Sequence, residues 1–231
     1  MGRSLEIPEM KAYLEKIGYE FVGIQYVPLV PTSPPTTQLT WLKQKGVDLA
    51  LGVMINPGSQ PTVKEMVRLG MGPHLEYKMT FGVALPGHAA VFAEAMGELG
   101  GGYVCAGSFR PLDDLATPGI KFCSDLQDKY RAGKWITHIM YEAGVLEAMI
   151  QVEALRLALE KVPFDKLTSR VVLEEGFYQI KNLDTGEISS TPLTYGKGDI
   201  EGVDEIRIDQ VQKGKPVKVG SSPVRHIYTK K

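Results

Sequence analysis

Apolar and polar positions between Ser4 and Gly107 repeat one rhythm, an amphipathic helical stretch followed by a short apolar run, in four successive units. That alternation is the mark of a parallel α/β sheet layered with helices. Ser4 is placed to cap a first helix that carries Leu5, Met10, Tyr13, Leu14 and Ile17 on one side, and Gly18 ends it. Residues 21–27 are rich in β-formers and read as a strand; Pro28, Pro31, Pro34 and Pro35 then exclude a helix before Thr36. A helix over residues 36–45 precedes an almost unbroken apolar run, 48–55, which predicts a central strand buried on both faces and stopped by Asn56, Pro57 and Gly58. The pattern continues as helix 61–69, strand 77–84, helix 87–97 and strand 103–107, with a loop over 109–119.

The rhythm changes after that loop. The chain becomes helical from Asp125, and residues 144–162 carry apolar positions on two sides: Val145, Ala148, Val152, Leu155 and Leu159 form one stripe, Leu146, Ile150 and Leu157 another. A helix with two apolar faces calls for two layers of neighbours. Beyond Pro163 the pattern turns β-like, with a turn at Asp184, Thr185 and Gly186 and a partly alternating strand at 206–211.

Charge and composition narrow the function. Among 231 residues, 26 basic side chains face 27 acidic ones, for a net charge of -1, which argues against nucleic acid as a partner. No stretch approaches the roughly 20 apolar residues of a membrane span. The first 17 residues lack the apolar core of a secretory signal, so the sequence as it stands reads as cytoplasmic. Cys105 and Cys123 are expected as two buried free thiols.

Candidate chemistry is sparse. Asp184-Thr185-Gly186 matches the tripeptide of aspartic proteases, but it occurs once and between polar neighbours, so a turn is expected. Gly196-Lys197-Gly198-Asp199 lacks phosphate-loop spacing, and Ser108 lacks the glycines of a nucleophile elbow. Residues 97–102 precede a strand rather than follow one, the reverse of a dinucleotide loop. His74, His88, His138 and His226 are too scattered for a metal motif. With no nucleophile, base, metal or cofactor set, the expectation is a protein that binds a ligand rather than transforms it. In open parallel sheets ligands sit beyond the carboxyl ends of the strands. Those ends are Met54, Ile55 and Asn56 for one strand and Gly82, Val83 and Ala84 for another, a small or apolar lining with one amide; core packing alone would equally account for Met54 and Ile55.

The stretch from Thr36 to Asp48, Thr-Thr-Gln-Leu-Thr-Trp-Leu-Lys-Gln-Lys-Gly-Val-Asp, resembles the solute-binding proteins of branched-chain amino acid ABC importers. The likeness continues through Pro118-Gly119-Ile120, Lys134-Trp135-Ile136-Thr137-His138, Tyr141-Glu142-Ala143-Gly144 and Glu153-Ala154-Leu155. It extends to Tyr195-Gly196-Lys197-Gly198-Asp199, Glu201-Gly202-Val203-Asp204-Glu205 and Val211-Gln212-Lys213-Gly214-Lys215. The resemblance implies a type I periplasmic binding protein: two Rossmann-like lobes, secreted or lipid-anchored, closing on a small ligand and delivering it to an ABC permease in the membrane. It also implies an incomplete first lobe and the absence of the first strand of lobe two. On that reading residues 1–107 are lobe two, 108–175 a crossover with the remaining helices of lobe one, and 176–231 the return to lobe two with the C-terminal strands.

The resemblance further makes Met54, Ile55, Asn56, Gly82, Val83 and Ala84 the pocket candidates of one lobe and Tyr141 that of the other. The acidic residue that amino-acid-binding relatives place near positions 82–84 is absent, so a free ammonium finds no partner there. An apolar or aromatic carboxylate, or an amide, fits as well as leucine or valine. A fragment without ligand binding, a ligand-sensing regulatory domain and, behind both, an α/β enzyme are the competing readings.

Overall fold

The computed structural model describes residues 7–28, 30–84, 89–110, 114–132, 134 and 140–224. They divide into two compact units, one from the described residues up to Gly107 together with Ile208–Gly220, the other from those of Ser108–Arg207 and Ser221–Val224.

The α/β alternation read from the sequence is present in the first unit. Helices α1 (Pro8–Lys16), α2 (Thr36–Gln44), α3 (Asn56–Arg68) and α4 (Ala89–Met96) alternate with strands β1 (Leu49–Gly52), β2 (Thr80–Ala84) and β3 (Val104–Gly107). Two further strands, β4 (Glu205–Gln212) and β5 (Lys215–Pro223), complete a sheet of order β1-β2-β3-β4-β5. β1 pairs with β2 and β2 with β3, both in parallel. Val211 ties β4 to the start of β3, accepting from the Gly102 N–H and donating to the Tyr103 carbonyl, each at 2.9 Å. Lys213 and Gly214 both have positive φ, the conformation a tight two-residue hairpin requires. The core contains Met66, Met71, Met79, Phe81, Val83, Phe92 and Tyr103, with Phe92 stacked on Tyr103 at 3.8 Å between ring centroids.

Three expectations are corrected here. The run 48–55 is not a central strand: β1 stands at the sheet edge, and Leu51 is 70% exposed. Among the described residues the strand has a neighbour on one side only. Residues 21–27 join no ladder, because β propensity alone cannot supply a partner strand. The third helix starts at Asn56, not Pro61; Pro57 occupies its first turn, where no N–H is needed, and Pro61 is carried inside. The expected cap Ser4 lies outside the described residues, and α1 begins with Pro8 in its first turn.

The second unit is mainly helical. α5 (Pro118–Arg131) starts seven residues before the expected Asp125, since Pro118 suits a first turn and Gly119 donates its N–H to the Gly186 carbonyl at 2.7 Å. α6 (Met140–Leu159) follows, and beyond it the expected β pattern is replaced by helical turns, Phe164–Lys166, Ser169–Val171, a wider turn Val172–Gly176 and Phe177–Gln179. Residues 176–207, grouped in the sequence reading with the final strands, pack in this unit because Gly176 lies on Ala154 of α6 and Ile188 on Gly119 of α5. Of the two stripes on α6, the one with Leu146, Ile150 and Leu157 joins the core with Cys123, Ile180, Ile188 and Tyr195. The other is open to solvent beyond its first member: Val145 packs against the same core, while Val152 is 66%, Leu155 39% and Leu159 43% exposed. One layer of neighbours is supplied, not two. Asp184 accepts the Gly186 N–H at 2.8 Å in the expected turn.

Candidate functional site

The carboxyl end of β1 leads directly into α3. Met54 is buried in the first core, where its methyl group and the Phe81 ring close over Gly52. Ile55 is the cap residue of α3, half-buried and extended, with no side-chain cap. Its carbonyl accepts the N–H groups of Gly58 at 2.8 Å and Ser59 at 3.0 Å, and Pro57 has none to offer. Of the first-turn donors this leaves the backbone N–H of Asn56 without a backbone partner among the described residues, at the positive end of the helix dipole.

Beside it, β2 ends at Gly82, Val83 and Ala84, whose parallel partners on β3 are Val104, Cys105 and Ala106. Val83 is 3% exposed and belongs to the core. Gly82 admits Leu51 from the neighbouring strand, whose methyl lies 3.0 Å from the position a Cβ would take. The first six candidates therefore share one end of one sheet, small or apolar, with a helix N-terminus beside them. Val83 and Met54 are committed to packing, so of the described groups the backbone at 55–56 and 82–84 offers the polar contacts.

Tyr141 belongs to the second unit. It stands in the first turn of α6, half-buried against the second core, and burial together with Cys123 pushes its hydroxyl above the ordinary tyrosine range. Glu142, beside it in sequence, is 1% exposed, and burial followed by the Glu142 charge pushes the Cys123 thiol up to about 11. Cys105 and Cys123 are both buried free thiols, as the sequence suggested. Of the histidines, His88, His138 and His226 lie outside the described residues, and among the described ones no three His, Cys, Asp or Glu side chains gather to hold a metal ion.

The sequence reading missed Glu65. Its carboxylate is 4% exposed, accepts the Thr36 hydroxyl at 2.5 Å, and receives Nε and Nη2 of Arg68 at 2.7 and 2.6 Å. The signal was present as a Glu three residues before an Arg on one helix, but the Thr36 contact across 29 residues was not. These bonds hold the Glu65 carboxyl at about 2, against an ordinary 4.5. A depressed carboxylate stabilises the fold above its unfolded pKa, and that contribution is lost as the pH falls through the folded value. The melting temperature is thus expected to decline between pH 4.5 and about 2, and Glu65→Gln to flatten that part of a thermal-denaturation profile against pH.

A cavity of about 180 Å³ lies elsewhere, lined by Val63, Met66, Met71, Phe81, Leu99 and Tyr103. The loops that lead into β2 and β3 form its wall, so it opens at the amino ends of the strands, opposite to the candidates above. Its lining is mostly apolar, with His74 and Glu98 among it, and it brings together none of the predicted strand-end residues or Tyr141.

No family model matches the chain, and no curated protein does. Solved structures do. A branched-chain amino acid ABC transporter protein from Thermus thermophilus with bound valine aligns over 94% of this chain and 56% of its own, at 23% identity and a TM-score of 0.73. An ABC transporter substrate-binding protein from Aeropyrum pernix aligns over 92% and 54%, at 14% identity and 0.74. A fatty acid ABC transporter substrate-binding protein from Thermomonospora curvata aligns over 91% of this chain and 51% of its own, at 19% identity and a TM-score of 0.65. The chain spans about half the length of each of these neighbours. Over that span it has the α/β fold of ABC-transporter substrate-binding proteins, with one sheet-bearing unit whose strand ends carry Met54 to Asn56 and Gly82 to Ala84.

Proposed function

We propose that this chain is part of the solute-binding component of an ABC importer, taking a small ligand without chemical change and passing it to a membrane permease. The observation that supports this most is the agreement of nearly the whole chain with substrate-binding proteins at TM-scores of 0.73 and 0.74. The site reading agrees with it: the strand-end residues offer backbone donors and an apolar lining rather than an acid, base or nucleophile set. The binding residues in this reading are Met54, Ile55, Asn56, Gly82, Val83 and Ala84 of the first unit, and Tyr141 is the candidate that the second unit carries.

The ligand class in this reading is a small apolar or aromatic carboxylate, an amide or a branched amino acid. A carboxylate suits the N–H at the start of α3. The neighbours described above include one with bound valine and one named for fatty acid. No helix among the described residues is long and apolar enough to cross a membrane, and the proposed place of action is the periplasm or cell exterior.

Titration with valine, leucine, benzoate and octanoate tests the proposal. At least one is expected to raise the melting temperature and to slow hydrogen exchange at the Asn56 amide. A panel that moves neither would overturn it.

A further inference from the structure

The cavity of about 180 Å³ at the amino ends of the strands has fixed walls. Its floor is Met66, Met71, Phe81 and Tyr103, none of them more than 6% exposed. The Tyr103 ring is held twice, by Phe92 stacked on it at 3.8 Å and by a hydrogen bond between its hydroxyl and Ser59 of α3. The two loops beside the cavity are tied down through their own backbone. In the loop before β2, the Gly72 N–H donates to the Tyr77 carbonyl at 2.9 Å and the Leu75 N–H to the Gly72 carbonyl at 3.2 Å. In the loop before β3, the N–H groups of Gly101, Gly102 and Tyr103 donate to the carbonyls of Glu98, Val211 and Gly100 at 3.0, 2.9 and 3.0 Å. Gly102, with a φ of +85°, lets the two loops touch, since a Cβ there would collide with the Pro73 ring. His74, Glu98 and Leu99 form the mouth, and all three are exposed.

These walls select the guest. Each loop N–H named above already has a carbonyl partner, so a carboxylate or phosphate that entered would shed its hydration with no donor from these loops in exchange. A chamber lined by apolar side chains suits an uncharged guest, and one of roughly 150 Å³ lined by Leu, Ile and Phe takes benzene or xenon. The rings of Phe81 and Tyr103 and the polarisable thioethers of Met66 and Met71 favour an aromatic guest over an aliphatic one. Walls that are fixed beforehand also spare the guest the entropy cost of ordering them. We infer that this cavity is a small-molecule site separate from the strand ends, taking one neutral aromatic molecule between benzene and indole in size. Its ring lies inward against the methionines, and any polar atom it carries stays at the wet mouth beside His74 and Glu98. The inference does not rest on the solute-binding reading, because the cavity shares no residue with the strand-end candidates.

The test follows the methionine methyl and backbone amide signals of the 231-residue chain by NMR during titration with indole. Indole is expected to shift the Met66 and Met71 methyls through its ring current, with half-saturation on the order of 1 mM, the scale for burying one small ring. The Asn56 amide is expected to stay in place. Benzoate, a ring of similar size that carries a charge, is expected to leave both methyls unmoved. Val67 lies on α3 and lines the cavity, so Val67→Phe fills it and is expected to abolish the indole shifts in a chain that keeps its circular-dichroism spectrum. Val67→Leu, a smaller filling that the fold accepts more readily, is expected to weaken indole severalfold. Methyls that indole leaves still, equal shifts with benzoate, or undiminished shifts in a folded Val67 variant would each overturn the inference. Movement of the Asn56 amide without the methyls would overturn it too, by assigning indole to the strand ends.

Discussion

Gly176→Ala is expected to unfold or severely weaken the second unit. A Cβ at this position would stand 2.1 Å from the Ala154 carbonyl oxygen and 2.9 Å from its carbon, both backbone atoms of α6. Backbone cannot move aside as a side chain tip can, so the helical turn must lift off α6 and surrender its packing. A loss of roughly 4 kcal/mol or more is the scale for such a collision. Gly144→Ala on the same α6 supplies the contrast, because a Cβ there meets nothing within 4 Å. Replacing a helical glycine in open space stabilises by about 0.5–1 kcal/mol. Thermal denaturation followed by circular dichroism should therefore move in opposite directions for the two variants. Equal effects would show that the approach of Gly176 to α6 does not control this unit.

The second large effect belongs to the first unit. Phe92 of α4 is fully buried and stacked on Tyr103 with the rings inclined by 13°. Its ring also limits Gly100, where an added Cβ would come within 2.9 Å. Phe92→Ala removes the largest fully buried side chain of this core and leaves a void that the surrounding methionines fill only in part. A cost of about 3–5 kcal/mol is expected. For a chain of this size that corresponds to a fall in Tm of roughly 10 °C. Leu51→Ala, at an exposed position of the same sheet, is expected to stay within about 0.5 kcal/mol of the parent in the same experiment. A Phe92→Ala protein that melts with the parent would mean that α4 does not anchor this core.

Local pattern determined a good deal of this protein. The alternation of helices and apolar runs fixes the α/β class, the positions of β2 and β3, and α2 almost to the residue, because period and punctuation are local properties of the chain. The turns at Asp184 to Gly186 and at Gly196 to Asp199 follow from their residues for the same reason. The two strand ends, at Met54 to Asn56 and at Gly82 to Ala84, were legible as places in the fold, since each closes an apolar run.

Tertiary structure decided everything that depends on what lies alongside. Residues 48–55 and 21–27 both have the composition of strands, yet β1 became an edge and 21–27 stayed unpaired, because a ladder needs a partner that neither segment carries in its own sequence. The two stripes of α6 are equally apolar, and only the packing of α5 and the turns after Pro163 determines which one is buried. Glu65 reads as a surface charge until Thr36 closes on it from 29 residues away. In each case the deciding quantity is the free energy of a long-range contact, which is set by the neighbour that chain topology brings into place and not by the residue itself.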